Sequence, residues 1–336
     1  MATIRDVAQR AGVSIATVSH VINGTRPVAE STRATVLESM RQLNFVPSAL
    51  GRGLRTNSLK TIGFIAADLT NPFFAQVFRG VESMARNAHY TVIVSHSGED
   101  VDREAESISN LIAKGVDGIL LAPVRALWDE SSIYTSIPVP VVTYDRQLPS
   151  AQLPSVVTDS KTAVFEAVSY FKARGHSNFA LITGKPGLST TLARRTGFEE
   201  ACHDANSSIF EGNSRYEGGV QAAHWLASQK PQPTVTIVGN NLMAMGLVST
   251  LQLTYPRILE STILVTLDEE PWSIFVRPAL SVISQPTHDI GVMAAKLLLQ
   301  KIHHEEIPLL TTLPCTFIPR GDNALHRDVP FETKEG

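Results

Sequence analysis

The 336-residue sequence predicts a small all-α head followed by an α/β body of two doubly wound parallel-sheet lobes. Three observations lead there. Residues 1–60 read as short helical stripes broken by Gly and Asn-Gly turn signals. From Thr61 onward, apolar β-type runs alternate with longer helical patterns, and they do so in two successive series. The charge is also divided: residues 1–60 carry eight Lys/Arg against three Asp/Glu, a net +5, although the whole chain carries −3. A basic head on an acidic body is the distribution expected of a local phosphate-binding surface. With 43% apolar and 18% charged residues, the body has the composition of an ordinary globular protein.

The head is taken as residues 1–46. Thr3 with Asp6 three residues on forms a capping-box-like start for a helix through Arg10, with Val7, Ala8 and Ala11 as its apolar stripe. Gly12 breaks it, and Ser14 caps a second helix that runs to about Ile22 and turns Val18, Val21 and Ile22 inward. Asn23-Gly24 ends that helix, since both residues tolerate a left-handed backbone. A third helix, about Glu30 to Leu43, is expected to pack Val36, Leu37, Met40 and Leu43 over the first two. Two short helices joined by a tight turn, with a third as support, describe a helix-turn-helix. Its second helix would enter the major groove, with Ile15, Ala16, Thr17 and His20 at base edges. Ser14, Asn23 and Arg26 are expected at phosphates, which fix register without reading sequence.

The stretches Thr3-Ile4-Arg5-Asp6-Val7-Ala8, Ala11-Gly12-Val13-Ser14, Thr17 to Gly24 and Thr32-Arg33 closely resemble the head of the lac repressor (LacI/GalR) family. Within it, the purine and ribose repressors share Ser19-His20-Val21-Ile22-Asn23. The resemblance implies a transcriptional regulator, in most cases a repressor. Such a protein would act as a homodimer on a pseudo-palindromic operator in double-stranded DNA, with affinity set by a small-molecule effector. It implies no cofactor.

Residues 47–60 form the hinge segment. Gly51 and Gly53 each cost a helix about 1 kcal/mol relative to Ala, so Pro47–Arg55 should not be helical by itself. The resemblance implies that this segment folds on the operator and pairs with its dimer mate. Leu54 would then wedge into the minor groove beside Arg55. The family more often has Ala and Ser at the two glycine positions, so a hinge that is harder to order is expected.

In the body, residues 61–336, strands are expected at 61–67, 91–95, 118–123, 139–144, 179–183, 234–239, 263–267 and 281–284. Helices are expected at 73–87, 103–114, 161–174, 190–204, 218–229, 242–252 and 288–303. This alternation implies two parallel sheets covered on both faces, with a ligand cleft at the strands' carboxyl ends. It is a periplasmic-binding-protein type of fold, which the resemblance also implies. The chain should cross between lobes near Asp159, Gln285 and Ile318. That makes the N-lobe about 61–159 and 286–318, and the C-lobe about 160–285 and 319–330.

Asn71-Pro72-Phe73-Phe74 follows the first strand, offering aromatic faces to a sugar ring. Asp145-Arg146 follows the fourth, a carboxylate and a guanidinium fork for neighbouring hydroxyls. Arg194 is expected to open a helix of the second lobe, and Asn240, Asp268 and Gln285 end later strands. Each resembles a family residue lining the effector cleft. Some positions depart from the family pattern: Asn241 for Asp, Leu267 for an aromatic, and His89 for Gly. Ser214 and Leu188 replace an aromatic and an arginine of the purine pocket, so the effector is read as a sugar, with a purine or nucleoside as the alternative.

An enzyme is not expected, and no catalytic or metal-binding residue is assigned. Gly184-Lys185-Pro186-Gly187 has the wrong order for a phosphate-binding loop, and there is no Gly-x-Ser-x-Gly or His-Glu-x-x-His. His303-His304-Glu305-Glu306 reads as a solvated helix end, and Cys202 and Cys315 as reduced packing residues. A transport binding protein would share the body, but it would carry a signal sequence and no basic head. The start, Met1 to Asp6, has no apolar signal region, so a cytoplasmic location is expected. Tetrameric members of the family that the chain resembles carry a C-terminal leucine heptad; the tail 324–331 has none, so the resemblance implies a dimer.

Overall fold

A computed structural model of the chain describes residues 2–45, 58–125, 134, 136–148 and 152–320. The chain divides into two compact units, residues 1–59 and 60–336. Leu54 and Arg55 lie outside the described residues, as do the other residues from 46 to 57 and the tail beyond 320.

The head contains α1 (Ile4–Ala11), α2 (Ile15–Asn23) and α3 (Glu30–Gln42). Thr3 and Asp6 form a full capping box, in which the Thr3 N–H donates to Asp6 Oδ2 at 2.7 Å. Gly12 and Gly24 end the first two helices at φ +66° and +63°, a conformation that costs glycine nothing. Val7, Ala8, Val18, Val21 and Val36 form the core, flanked by half-buried Ile22, Met40 and Leu43. Leu37 does not join them; it is 48% exposed. The inward stripe of α3 runs through Val36, Met40 and Leu43 at i, i+4 and i+7, and Leu37 lies about 100° off that line. Buried Ser39 takes the remaining inward place and donates to the Thr35 carbonyl at 2.8 Å.

The body is built twice. Its first sheet has the order β11-β5-β4-β3-β1-β2, and its second β12-β10-β9-β8-β6-β7. The strands of the first are β1 (Thr61–Ala66), β2 (Thr91–His96), β3 (Gly118–Leu121), β4 (Val141–Tyr144), β5 (Ser155–Thr158) and β11 (Leu310–Leu313). Those of the second are β6 (Asn178–Thr183), β7 (Asn206–Glu211), β8 (Val235–Val238), β9 (Ile263–Leu267), β10 (Ser281–Ser284) and β12 (Thr316–Ile318). All pairings are parallel except β12 with β10. Central strands β3, β4, β8 and β9 are buried throughout, as sheets covered on both faces require.

The covering helices are α4 (Pro72–Asn87), α5 (Val101–Ala113), α6 (Ser160–Lys172), α7 (Ser189–Ala201), α8 (Tyr216–Ser228), α9 (Asn241–Thr254), a short α10 (Pro256–Ser261) and α11 (Thr287–Ile302). A 3₁₀ turn follows β9 at Pro271–Phe275.

Four strands escape the sequence reading: β5, β7, β11 and β12. β7 (Asn-Ser-Ser-Ile-Phe-Glu) and β11 (Leu-Thr-Thr-Leu) sit at sheet edges and are half-solvated, so they lack the apolar run that marks a central strand. Because β12 pairs with β10, the third crossing between lobes falls at Pro314-Cys315 rather than near Ile318. Proline has no N–H to continue the β11 ladder, which ends at Leu313. Residues 316–318 therefore belong to the C-lobe. His89 occupies φ +60°, a left-handed position where the family favours Gly, at a cost of order 1 kcal/mol.

The first sheet is sealed by α4 against α11, and the two helices approach backbone to backbone. A Cβ built on Gly80 would lie 2.1 Å from the His288 carbonyl oxygen, and one on Gly291 2.0 Å from that of Val77. Gly291→Ala must therefore push the helices apart. It is expected to lower stability by about 1–3 kcal/mol, visible as a reduced denaturant midpoint with unchanged slope.

Candidate effector cleft and DNA-reading surface

The internal duplication sets out the cleft. β4 and β9 occupy equivalent places in the two sheets, and each ends in an aspartate with a left-handed backbone: Asp145 at φ +64° and Asp268 at φ +59°. Their N–H groups donate to equivalent neighbours, Val156 O and Ile283 O, both at 2.9 Å. β2 and β7 likewise end in paired left-handed residues, Gly98-Glu99 and Asn213-Ser214.

One cavity lies between the two sets of strand ends. The N-lobe lines it with Asn71, Phe73, Phe74, Asp145 and Arg146, and the C-lobe and its crossing with Arg194, Asn240, Asp268 and Gln285. All nine residues singled out in the sequence thus meet at one place. Thr190, Thr191, Ser214, Gly239, Asn241 and Leu267 complete the wall.

The phenylalanines are held edge to face, 5.2 Å apart, and Phe74 leans on Tyr144. They are positioned by Asn71, which caps α4 by accepting the Phe73 N–H at 3.1 Å, with Pro72 at the first helical place. Asn240 caps α9 in the same way, accepting from Met243 at 2.8 Å while its amide donates to the Ser214 carbonyl at 2.8 Å. Gln285 donates through its backbone and side chain to Asp268, both at 2.8 Å, and accepts from Thr158 at 3.1 Å.

Two expectations need correction. Arg194 does not open its helix. α7 begins at Ser189, so the arginine sits in the second turn, where it donates to the Gly239 carbonyl at 2.7 Å. The Arg146 fork is not open to ligand hydroxyls either. Glu99 takes both ends, Nη2 to Oε1 at 2.6 Å and Nη1 to Oε2 at 3.0 Å, and Nη1 also reaches Pro123 O at 3.2 Å. Arg146 Nε faces Asp145 Oδ2 at 3.3 Å, whereas the buried Arg194 Nε–H has no hydrogen-bond partner.

Glu99 and Lys185 were missed by sequence reasoning. Lys185, from the C-lobe, donates across the cleft to the N-lobe carbonyls of Glu99 at 3.2 Å and Val124 at 3.5 Å. The Gln147 N–H crosses in the other direction to Ser189 Oγ at 3.1 Å. Glu99 could have been found by aligning the two halves, because it is the N-lobe counterpart of Ser214; no local motif marks it. Asn241, where the family has Asp, donates to buried Glu270 at 3.1 Å, a bond a second carboxylate could not make.

Burial pushes the carboxyls of Asp145 and Asp268 upward. Arg146 and Arg194 oppose the shift at Asp145; at Asp268, where the value reaches about 6, the hydrogen bonds from Gln285 do. Burial disfavours the Arg146 charge, but Glu99 and Asp145 outweigh it and hold the guanidinium protonated. Arg194, with weaker partners, is shifted downward by burial.

For Asp268 the folded value lies above the ordinary 3.8, so the unfolded chain ionises first as pH rises. Stability from this group is complete below about 3.8 and is lost between there and about 6. Relative to Asp268→Asn, the wild type should lose up to about 1.4 kcal/mol per pH unit in that window and nothing further above pH ~7, as read by chemical denaturation.

In the head, Ile15 is 45% exposed and Ala16 is exposed, while Thr17 and His20 are half-buried on the same helix. His20 Nδ1 is paired with Thr25 Oγ1 at 2.8 Å. Ser14 Oγ accepts the Thr17 N–H at 3.0 Å, and Asn23 donates to the Ser19 carbonyl at 2.7 Å. Both side chains therefore already serve the helix ends. Arg26 is exposed.

A helix-turn-helix head carried with a two-lobed body that encloses a polar cavity defines a ligand-controlled DNA-binding regulator. Residues 3–48 match the family of bacterial regulatory proteins, lacI family, and residues 59–320 match the periplasmic binding proteins and sugar binding domain of LacI family. The chain belongs to the LacI family. It is 34% identical over 314 residues to catabolite control protein A of Priestia megaterium, covering 91% of this chain and 94% of that protein. It is 35% identical over 317 residues to the HTH-type transcriptional repressor PurR of Vibrio vulnificus, covering 91% and 93%. Among solved structures, a putative ribose operon repressor from Burkholderia thailandensis superposes with a TM-score of 0.70 at 28% identity, covering 77% of this chain and 98% of that one. These relatives are transcription regulators, not enzymes. Among the described residues, no helix is long and apolar enough to cross a membrane.

Proposed function

We propose that this regulator represses transcription from a pseudo-palindromic operator as a homodimer in the cytoplasm, and that a sugar bound between its lobes sets its operator affinity. The observation that carries the sugar reading is the gathering, inside one cavity, of two carboxylates and two guanidinium groups beside two aromatic side chains. A hydroxyl both donates and accepts, so a polyol can satisfy carboxylate and guanidinium at once. The phenylalanines supply an apolar wall for the ring's C–H face. Ser214, its Oγ already accepting the Lys185 N–H at 3.0 Å, offers no stacking surface for a purine base.

In this reading the head is residues 1–46, the hinge 47–60 and the effector body 61–336. Ile15, Ala16, Thr17 and His20 meet base edges, and Ser14, Asn23 and Arg26 meet phosphates. Leu54 and Arg55 enter the minor groove. His20→Ala is expected to weaken operator binding by about 1–3 kcal/mol and to relax preference at one base position, measured by competition with operator variants.

The cleft is tested by thermal shift of the full chain against neutral sugars, sugar phosphates, nucleosides and purines. A ligand at 100 times its dissociation constant should add about 2.7 kcal/mol to stability. Stabilisation by a pentose or hexose supports the proposal. Stabilisation by a base or nucleoside alone replaces it with the purine reading, and no stabilisation from any class rejects the sugar.

A further inference from the structure

Glu99 does not line the cavity, yet it governs the single guanidinium that the N-lobe contributes to it. Its carboxylate, 11% exposed, holds both ends of the Arg146 fork. The residue is itself held from three directions. Its N–H donates to Ala67 O at 2.9 Å, its carbonyl accepts Lys185 Nζ from the opposite lobe, and it follows Gly98 in a left-handed turn at φ +62°. The equivalent turn of the C-lobe carries Ser214, so the extra carboxylate belongs to one lobe only.

This arrangement decides what charge the cleft can accept. The lining carries Asp145 and Asp268 against Arg146 and Arg194 and is balanced without a ligand. A phosphate is recognised best by an open guanidinium fork, which offers two parallel N–H donors. Glu99 closes the Arg146 fork. The Arg194 Nη atoms are turned to Gly239 O at 2.7 Å and Gln285 Oε1 at 3.5 Å. Arg146 Nε already faces Asp145 Oδ2 at 3.3 Å, and Arg194 keeps one buried Nε–H, too little for a phosphate facing two carboxylates.

We propose that Glu99 sets the charge class of the effector: by occupying the Arg146 fork it makes the cleft take an uncharged polyhydroxyl ligand and refuse the same ligand bearing a phosphate. The inference rests on reading the cleft as the effector site. Glu99 is a specificity-determining residue of that site, acting through Arg146 rather than by touching the ligand.

The test is calorimetric titration of the full-length wild type, Glu99→Gln and the double variant Glu99→Gln/Arg146→Met at constant ionic strength. The probes are inorganic phosphate, a panel of neutral pentoses and hexoses, and their 5- or 6-phosphates. Wild type should bind a neutral sugar at least about tenfold more tightly than its phosphate ester. Glu99→Gln, isosteric and folded by circular dichroism, should bind inorganic phosphate about tenfold or more tightly than wild type, and the double variant should lose that gain. The proposal is overturned if folded Glu99→Gln binds phosphate no better than wild type. It is equally overturned if wild type binds a sugar phosphate as tightly as the parent sugar, a result that does not depend on whether any variant folds. Failure of every neutral sugar with the wild type counts against the sugar reading, whereas the phosphate arm separately decides the role of Glu99.

Discussion

Arg146→Met is expected to cost the body about 3–5 kcal/mol, the largest loss of any single substitution in the cleft. The guanidinium is 8% exposed and is the common partner of two carboxylates, Glu99 at 2.6 Å and Asp145 at 3.3 Å. Methionine keeps most of the volume, so packing is not the main loss. What remains is two buried acids with no cation between them, and burial already pushes Asp145 upward. The denaturant midpoint of the full chain should fall accordingly at pH 7, with part of the loss recovered at lower pH as the orphaned carboxyls take up protons. Removing Glu99 at the same time should restore much of the stability, because a pair exchanged for neutral groups costs far less than a broken pair. Equal losses in the single and double variants would show that the pair contributes nothing beyond packing.

Arg194→Met should abolish the response to effector while leaving operator binding by the free protein intact. Arg194 lies on α7, is enclosed by the C-lobe, and keeps an unpartnered Nε–H at the cavity. A charge-assisted hydrogen bond to a ligand hydroxyl contributes about 1.5–3 kcal/mol. The substitution also releases Gly239 O and Gln285 Oε1, which Arg194 now orients. Together these losses should weaken effector binding about 100-fold or more, measured by titration calorimetry. Operator affinity without effector should stay within about twofold of wild type, since no residue of the head is altered. A variant that retained effector affinity would remove Arg194 from the site.

Much of the fold was legible because the information was local. The head declares its caps and turns in Thr3-Asp6, Gly12 and Asn23-Gly24, and each acts within four residues of itself. The central strands declare themselves by apolar runs, since a strand covered on both faces has no solvated side to encode. β5, β7, β11 and β12 were not legible, because short or edge strands draw half of their definition from the neighbour they pair with. Leu37 misled for a related reason: an apolar side chain beside a helical stripe looks like part of it until the packing partner fixes the angle.

The cleft was legible to the extent that strand ends are. Asn71, Asp145, Asn240, Asp268 and Gln285 each follow a strand that periodicity locates, and parallel sheets gather such positions at one edge. The sequence by itself thus indicated two lobes and nine of the side chains that line the cavity between them. The hydrogen-bonding state of those side chains was decided only by the tertiary structure. Glu99 is 47 residues from Arg146 and closes its fork, and Lys185 comes from the other lobe to hold the Glu99 carbonyl. An ion pair between distant segments leaves no periodic trace in either one. It exists because folding brings a strained turn and a strand end within hydrogen-bonding distance, in a setting too dry for either charge to stand alone.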